Sequence, residues 1–341
     1  MLDTHGLEQH VTQQMAAHKI PGLALAVVHR GEVIYANGFG TTSVEENGLP
    51  VTPRTIFRVG SISKPLSSTA IMRLVEAGRL DLDAPVARYL PWVRFSRTGA
   101  EHQVTLRMLL THTSGLDSIN NPYGSRDPEG AATYIKETLP GIPFVAEPGR
   151  LYSYSNPGLA LAGLVAATVY GKPLGTMVQE LLFDPLGMTR STYDPLVALT
   201  YPFAFSHNLR DDGTLEVARP VAESTGQHAA GFAMSTVLDM AQFAIMQMDG
   251  GRFGGQQLLA PETVKLMHTL HAPHYTVDGA GYGITFFVDA YKGLKRVRHG
   301  GGIHNYHCSF EMLPEARNRR HHHGVPHGAA QPVPHHHGHH L

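Results

Sequence analysis

The stretch from Ser61 to Gly78 constrains this chain more than any other. Apolar Leu66, Ala70, Ile71, Leu74 and Val75 recur mostly three and four residues apart and the run stops at a glycine, which predicts an amphipathic helix. Its head reads Ser61-Ile62-Ser63-Lys64. Residues three apart on a helix share a face, so the Ser61 hydroxyl and the Lys64 amine can meet. A serine hydroxyl is a poor nucleophile until a neighbouring base takes its proton, and a lysine desolvated in a closed site has its pKa lowered toward that task. First-turn N–H groups lack partners within the helix, so the Ser61 N–H can face a developing oxyanion. The competing reading is an exposed Ser and Lys at an ordinary helix start, because S-x-x-K is a short motif.

The surroundings decide between these. Phe57-Arg58-Val59-Gly60-Ser61-Ile62-Ser63-Lys64 is followed by Leu80-Asp81-Leu82-Asp83-Ala84-Pro85-Val86. Then comes Leu106-Arg107-Met108-Leu109-Leu110-Thr111-His112-Thr113-Ser114-Gly115-Leu116. Together these blocks resemble the serine β-lactamase and penicillin-binding superfamily, in particular its class C-like branch, which also holds D-peptidases and esterases. The resemblance runs from about Leu7 to Glu315. It implies an α/β fold in which an antiparallel sheet is flanked by helices on both faces and carries a mostly helical insert. It also implies hydrolysis through an acyl-enzyme formed on Ser61, with no cofactor.

A second cluster, Tyr154-Ser155-Asn156, follows the Pro148-Gly149 turn. The resemblance aligns Tyr154 and Asn156 with the family's Y-x-N element. It makes Tyr154 the group that moves a proton between nucleophile and leaving group, and Asn156 the amide that holds substrate and lysine. Read from the residues alone, this is a loop with a stacking aromatic. Tyr152 is the weaker candidate, because no asparagine follows it at the right place.

A third cluster, His299-Gly300-Gly301-Gly302, lies in a strand-like segment where many relatives carry Lys-Thr-Gly. His299 is expected to line the pocket, hydrogen-bonding the substrate or the tyrosine with a charge that depends on pH near neutrality. Gly301 lets the strand approach a ligand closely, and by the resemblance Gly302 supplies a second oxyanion N–H beside that of Ser61. The bland alternative for His299 is a structural histidine at a strand edge. Losing a fixed cation argues for neutral acyl groups. The substrates expected are small esters, with β-lactams, D-amino-acid peptides or a non-turnover penicillin-binding module as alternatives.

Other chemistries find little support. A net charge of −1 without a basic stripe gives nucleic acid no purchase. The chain has no 18-residue apolar run, so no membrane span is expected. A single cysteine, Cys308, cannot form an intramolecular disulfide. The serines beside glycine do not form G-x-S-x-G, and H-E-x-x-H and C-x-x-C do not occur. The N-terminus lacks the basic and apolar regions of a secretory signal, so a cytoplasmic location is expected, or a periplasmic or secreted one if the N-terminus is trimmed.

The 341 residues, 42% of them hydrophobic, suffice for a substantial core. Residues 1–318 are expected to form one catalytic unit, its α/β part about 1–60 and 230–318 and its helical part about 61–229. A first helix is expected over Leu7 to His18, a hairpin of Leu23–His29 and Val33–Ala36, and a helix capped by Ser235 or Thr236 running through Met248. Strand character returns at Ile284–Val288 and Ser309–Leu313.

Residues 319–341 form a tail holding nine of the 23 histidines. Without acidic partners or regular spacing it reads as a low-complexity, non-native or disordered segment rather than a metal site, and no metal is expected. Histidine codons slid by one nucleotide ahead of a C become isoleucine or threonine codons. In that frame Asn318 to His323 reads as an apolar strand, such as relatives carry after Glu311-Met312-Leu313-Pro314-Glu315, which points to a frameshift.

Overall fold

The computed structural model describes residues 2–119, 121–127, 129–273 and 278–317. Helix α1 (Thr4–Ala17) starts slightly before Leu7 because the Asp3 side chain accepts the Gly6 N–H at 2.9 Å. It leads into an antiparallel hairpin of β1 (Gly22–His29) and β2 (Glu32–Gly40). Arg30 and Gly31 turn the hairpin with positive φ values of 54° and 82°, whose twist matches that of the strands. The two-residue β3 (Phe57–Arg58) pairs with Met234–Ser235. It delivers the chain into a 3₁₀ turn (Gly60–Ile62) and helix α2 (Ser63–Glu76).

Helix α2 is not the half-exposed amphipathic helix its spacing predicts. Ser63 to Met72 are all buried, and the polar face is satisfied from within. Ser67 Oγ lies 2.7 Å from Tyr193 Oη, and Thr69 Oγ1 donates to the Pro65 carbonyl at 2.7 Å. The helix ends as expected, with Gly78 left-handed at φ 68°.

The part between residues 80 and 200 is helical: α3 (Leu106–Leu110), α4 (Gly130–Thr138), α5 (Asn156–Tyr170), α6 (Leu174–Val178), α7 (Asp184–Leu186) and α8 (Pro195–Ala198). A small hairpin of β4 (His207–Leu209) and β5 (Leu215–Val217) precedes α9 (His228–Gly231) and β6 (Met234–Ser235). Helix α10 (Val237–Met248) is capped by Thr236, whose side chain accepts the Asp239 N–H at 3.1 Å. A hairpin of β7 (Arg252–Phe253) and β8 (Gln256–Gln257) leads to α11 (Pro261–Met267).

The chain closes with an antiparallel sheet of β9 (Ala272–Pro273), β10 (Gly281–Tyr282), β11 (Phe287–Tyr291), β12 (Leu294–Ile303) and β13 (Tyr306–Met312). Its order is β13-β12-β11-β10-β9. The strand expected at Ile284–Val288 begins only at Phe287. Thr285 has φ 57° and gives its N–H to the Leu110 carbonyl at 3.0 Å, so the chain leaves the ladder there. Ile284 and Phe286 owe their apolar character to full burial in the core.

The β1–β2 hairpin pairs only with itself among the described residues, so the antiparallel strands form separate sheets. The histidine-rich tail and the segment expected to encode a strand in another frame, 318–341, lie outside the described residues. One hydrophobic cluster runs from Val59 to Met312 and joins α2, α5, α10 and the closing sheet. No single helix among the described residues is long and apolar enough to cross a membrane.

Candidate active site

The turn bearing Ser61 lies directly on β12. A Cβ on Gly60, held at φ 54°, would stand 2.7 Å from the Gly302 nitrogen. A Cβ on Gly301 would overlap the Val59 carbonyl and stand 3.2 Å from the Ser61 nitrogen. Only glycine allows so close an approach, so the Gly60 and Gly301 positions place the Ser61 backbone beside Gly302. Ser63 braces the turn: its hydroxyl donates to the Gly60 carbonyl at 2.6 Å and accepts the Ala233 N–H at 2.8 Å.

Lys64 is fully buried, and its hydrogen-bond partners among the described residues are all neutral. Nζ lies 3.1 Å from Ser61 Oγ, 2.8 Å from Asn156 Oδ1 and 2.7 Å from the Ala230 carbonyl. Burial pushes the amine well below the ordinary lysine value. The amide oxygen and the carbonyl can only accept, so a neutral amine spends both N–H bonds on them. Its lone pair is left facing the Ser61 hydroxyl.

Tyr154 completes the cluster, with its ring centroid 4.6 Å from Lys64 Nζ and its phenol hydrogen-bonded to Ser61. Burial pushes that phenol up to about 12, against the lowering effect of the Ser61 bond. At neutral pH it therefore holds its proton and can donate it. Asn156 opens α5, capped by the Ser155 hydroxyl accepting the Gly158 N–H at 3.2 Å, and this fixes the amide beside Lys64.

His299 lies on β12 as its pattern suggests, with its ring 6.4 Å from that of Tyr154, but its hydrogen-bond partners are other groups. It is 2% exposed. Its Nδ1 faces the Gly300 carbonyl at 2.5 Å and its Nε2 lies 2.9 Å from Tyr282 Oη. A carbonyl only accepts, so the proton sits on Nδ1 and Nε2 accepts from the Tyr282 hydroxyl. Burial first, and then the proximity of the Lys64 amine, lower its pKa to about 3. The expected histidine that titrates near neutrality and bonds the substrate or Tyr154 is thus replaced by a neutral one with both nitrogens engaged by the protein. Its neighbour Arg298 is also occupied, with Nε 3.1 Å from Asp289 Oδ2.

The sequence model of the Beta-lactamase family matches residues 7–319. The chain belongs to the Beta-lactamase family. Within it, Penicillin-binding protein 4 of Amycolatopsis lactamdurans is 30% identical over 303 residues, covering 87% of this chain and 78% of that protein. Esterase EstB of Burkholderia gladioli is 34% identical over 189 residues, covering 52% of this chain and 48% of that one. The octameric penicillin-binding protein homologue from Pyrococcus abyssi superposes with a TM-score of 0.81 at 29% identity, covering 93% of this chain and 72% of that one. These likenesses give the chain the β-lactamase/transpeptidase-like fold, with helices and antiparallel sheets combined.

Three groups at this Beta-lactamase-family site escape a motif reading. The Ala230 carbonyl that holds Lys64 belongs to a residue type without chemistry of its own. Tyr282 carried a signal in its glycine neighbours. A Cβ on Gly281 would overlap the Ala272 carbonyl and one on Gly283 the Met267 carbonyl, so Gly281-Tyr282-Gly283 marks a backbone pressed against others. His112 lay inside a quoted block, with nothing in its spacing to connect it to Tyr154.

Proposed function

We propose that this protein is a serine esterase that acts through an acyl-enzyme on short, neutral acyl donors. Lys64 takes the Ser61 proton as Oγ bonds to the ester carbonyl carbon, and the oxyanion sits against the Ser61 and Gly302 N–H groups. Tyr154 passes a proton to the leaving alkoxide as the ester C–O bond breaks, and is reprotonated from Lys64. Asn156 holds Lys64 and the substrate. Water, activated by the same groups, then releases the acid and restores Ser61. The single observation that carries the choice of ester is His299, neutral and spent on Gly300 and Tyr282 where a cation would hold a carboxylate. The EstB name of a partial relative supports the same direction.

The test is kcat/KM for p-nitrophenyl butyrate and for a chromogenic cephalosporin on one preparation. Ester turnover is expected to lead by at least about a hundredfold, equal to about 2.7 kcal/mol of transition-state discrimination. His299→Lys is expected to narrow the gap from the cephalosporin side. A cephalosporin value at or above the ester value overturns the assignment. A single burst of product without turnover supports instead a module that acylates once, in keeping with the penicillin-binding name of another relative.

A further inference from the structure

His112 is fully buried, has no role in the chemistry above, and sits against Tyr154. Two unfavourable features meet in it. Its backbone is left-handed at φ 57°, and its Nε2 has no hydrogen-bond partner among the described residues. Strained backbone and an unsatisfied buried donor persist where the surrounding structure holds them for a purpose.

The contacts show the purpose. The His112 carbonyl accepts the Ser153 N–H at 2.7 Å and its Nδ1 accepts the Ser155 N–H at 3.1 Å, so one residue grips the backbone on both sides of Tyr154. Its ring lies 4.4 Å from the Tyr154 ring and 4.9 Å from the Tyr282 ring. The Ser155 N–H can only donate, which fixes the neutral tautomer with hydrogen on Nε2. Protonating Nδ1 would break this bond and bury a charge, which burial opposes first and the proximity of Lys64 second.

We infer that His112 is a positioning residue for the proton-transfer step: it acts through Tyr154, aiming the phenol at Ser61 by clamping Ser153 and Ser155 and packing its tilted ring against that of Tyr154. This rests on the hydrolase reading above. The left-handed backbone turns the His112 carbonyl and ring toward the same strip of chain. Left-handed geometry is also tolerated by asparagine, and an asparagine Oδ1 occupies about the place of histidine Nδ1. Asparagine is therefore the variant that keeps the clamp and loses the ring.

The test compares wild type, His112→Leu and His112→Asn by ester kcat and KM, thermal unfolding, and amide exchange over residues 153–156. For His112→Leu, kcat is expected to fall about a hundredfold, the cost of about 1 Å of misplacement. KM stays within a few-fold and exchange over 153–156 quickens. His112→Asn is expected to recover most of the lost kcat and protection. Should the Leu variant fail to fold, the Asn variant carries the test alone, with kcat within about tenfold of wild type and protection kept. Three results overturn the inference: unchanged exchange in the Leu variant, a kcat for it near wild type, or an Asn variant no better than Leu. Exchange needs no turnover. A wild type inert to every ester therefore sinks the hydrolase reading, while the clamp is still judged by exchange.

Discussion

Two buried basic side chains flank Ser61, and their surroundings differ. Arg58, three residues before it, is 1% exposed and places Nη2 3.0 Å from Glu223 Oε2. The other Glu223 oxygen lies 3.0 Å from His228 Nε2. Burial opposes ionisation of Glu223, but the His228 hydrogen bond and the Arg58 charge outweigh it, and the carboxyl stays below its ordinary value. Lys64, three residues after Ser61, is equally buried but meets only a hydroxyl, an amide and a carbonyl. With a carboxylate beside it a buried cation keeps its charge and ties elements together; among neutral acceptors its charged form is disfavoured and its pKa falls. The two regions touch through α9, where His228 serves the ion pair and Ala230 holds Lys64.

The sharpest way to break this contrast is to remove the base. Lys64→Ala and Ser61→Ala are each expected to cost about 10⁶ in kcat, because groups that act as a unit fail as a unit. Lys64→Met is expected to unfold no lower than wild type, since a buried amine without a counter-charge is exchanged for an apolar chain. Turnover near wild type in Lys64→Ala would show that the base lies elsewhere. Tyr154→Phe is expected to cost about 10²–10⁴ in kcat, the range of a general acid–base group. It should leave covalent labelling of Ser61 measurable, and loss of labelling would mean that the phenol shapes the site rather than moving protons.

The ion pair should show the reverse profile. Arg58→Ala or Glu223→Ala alone strands a buried charge and is expected to lower stability by about 3–5 kcal/mol. Arg58→Met with Glu223→Leu is expected to recover most of that loss, and the orphaned Arg58 Nε and Nη1 already mark the pair as incompletely satisfied. Denaturant titration of the three variants checks this. If the single variants were as stable as wild type while turnover vanished, Arg58 would belong to the catalytic machinery.

This division also explains what was legible in the sequence. Ser61, Lys64, Tyr154, Asn156, Gly301 and Gly302 each stand in a short pattern, and the fold brings them together. The hairpin, the Thr236 cap and β13 follow from turn and alternation signals that are local in the chain. The ion pair was illegible because Arg58 and Glu223 are 165 residues apart, and either one alone reads as surface charge. The burial of α2 and the late start of the strand expected at Ile284 depend on what packs around them. The partners of His299 were hidden for the same reason: pattern placed it on the strand, but nothing local names Tyr282 as the group that engages its Nε2.

The smallest expected effect separates the two kinds of burial by pH. Burial, and to a lesser degree Lys295, lower His268 to about 3, and its Nε2 donates to Gln247 Oε1 at 3.0 Å. The folded value lies below the unfolded one of about 6.5, so between them the unfolded chain binds more protons. The stability due to the neutral ring is therefore whole above about 6.5 and is lost as pH falls toward 3. At a pH of about 5.5 each histidine locked neutral costs about 1.4 kcal/mol. Glu223 is displaced in the same direction, but from the carboxylate range, so the stability it confers is whole between about pH 7.5 and 5.5 and is lost only as pH falls below that range. His268→Gln, which keeps a donor for Gln247, is thus expected to lose less stability than wild type between pH 7.5 and 5.5. The Arg58→Met, Glu223→Leu double variant is expected to follow wild type over that window. Unfolding midpoints at the two pH values decide the matter, and a double variant with the shallower slope would mean that the ion pair is the part of the molecule that senses protons first.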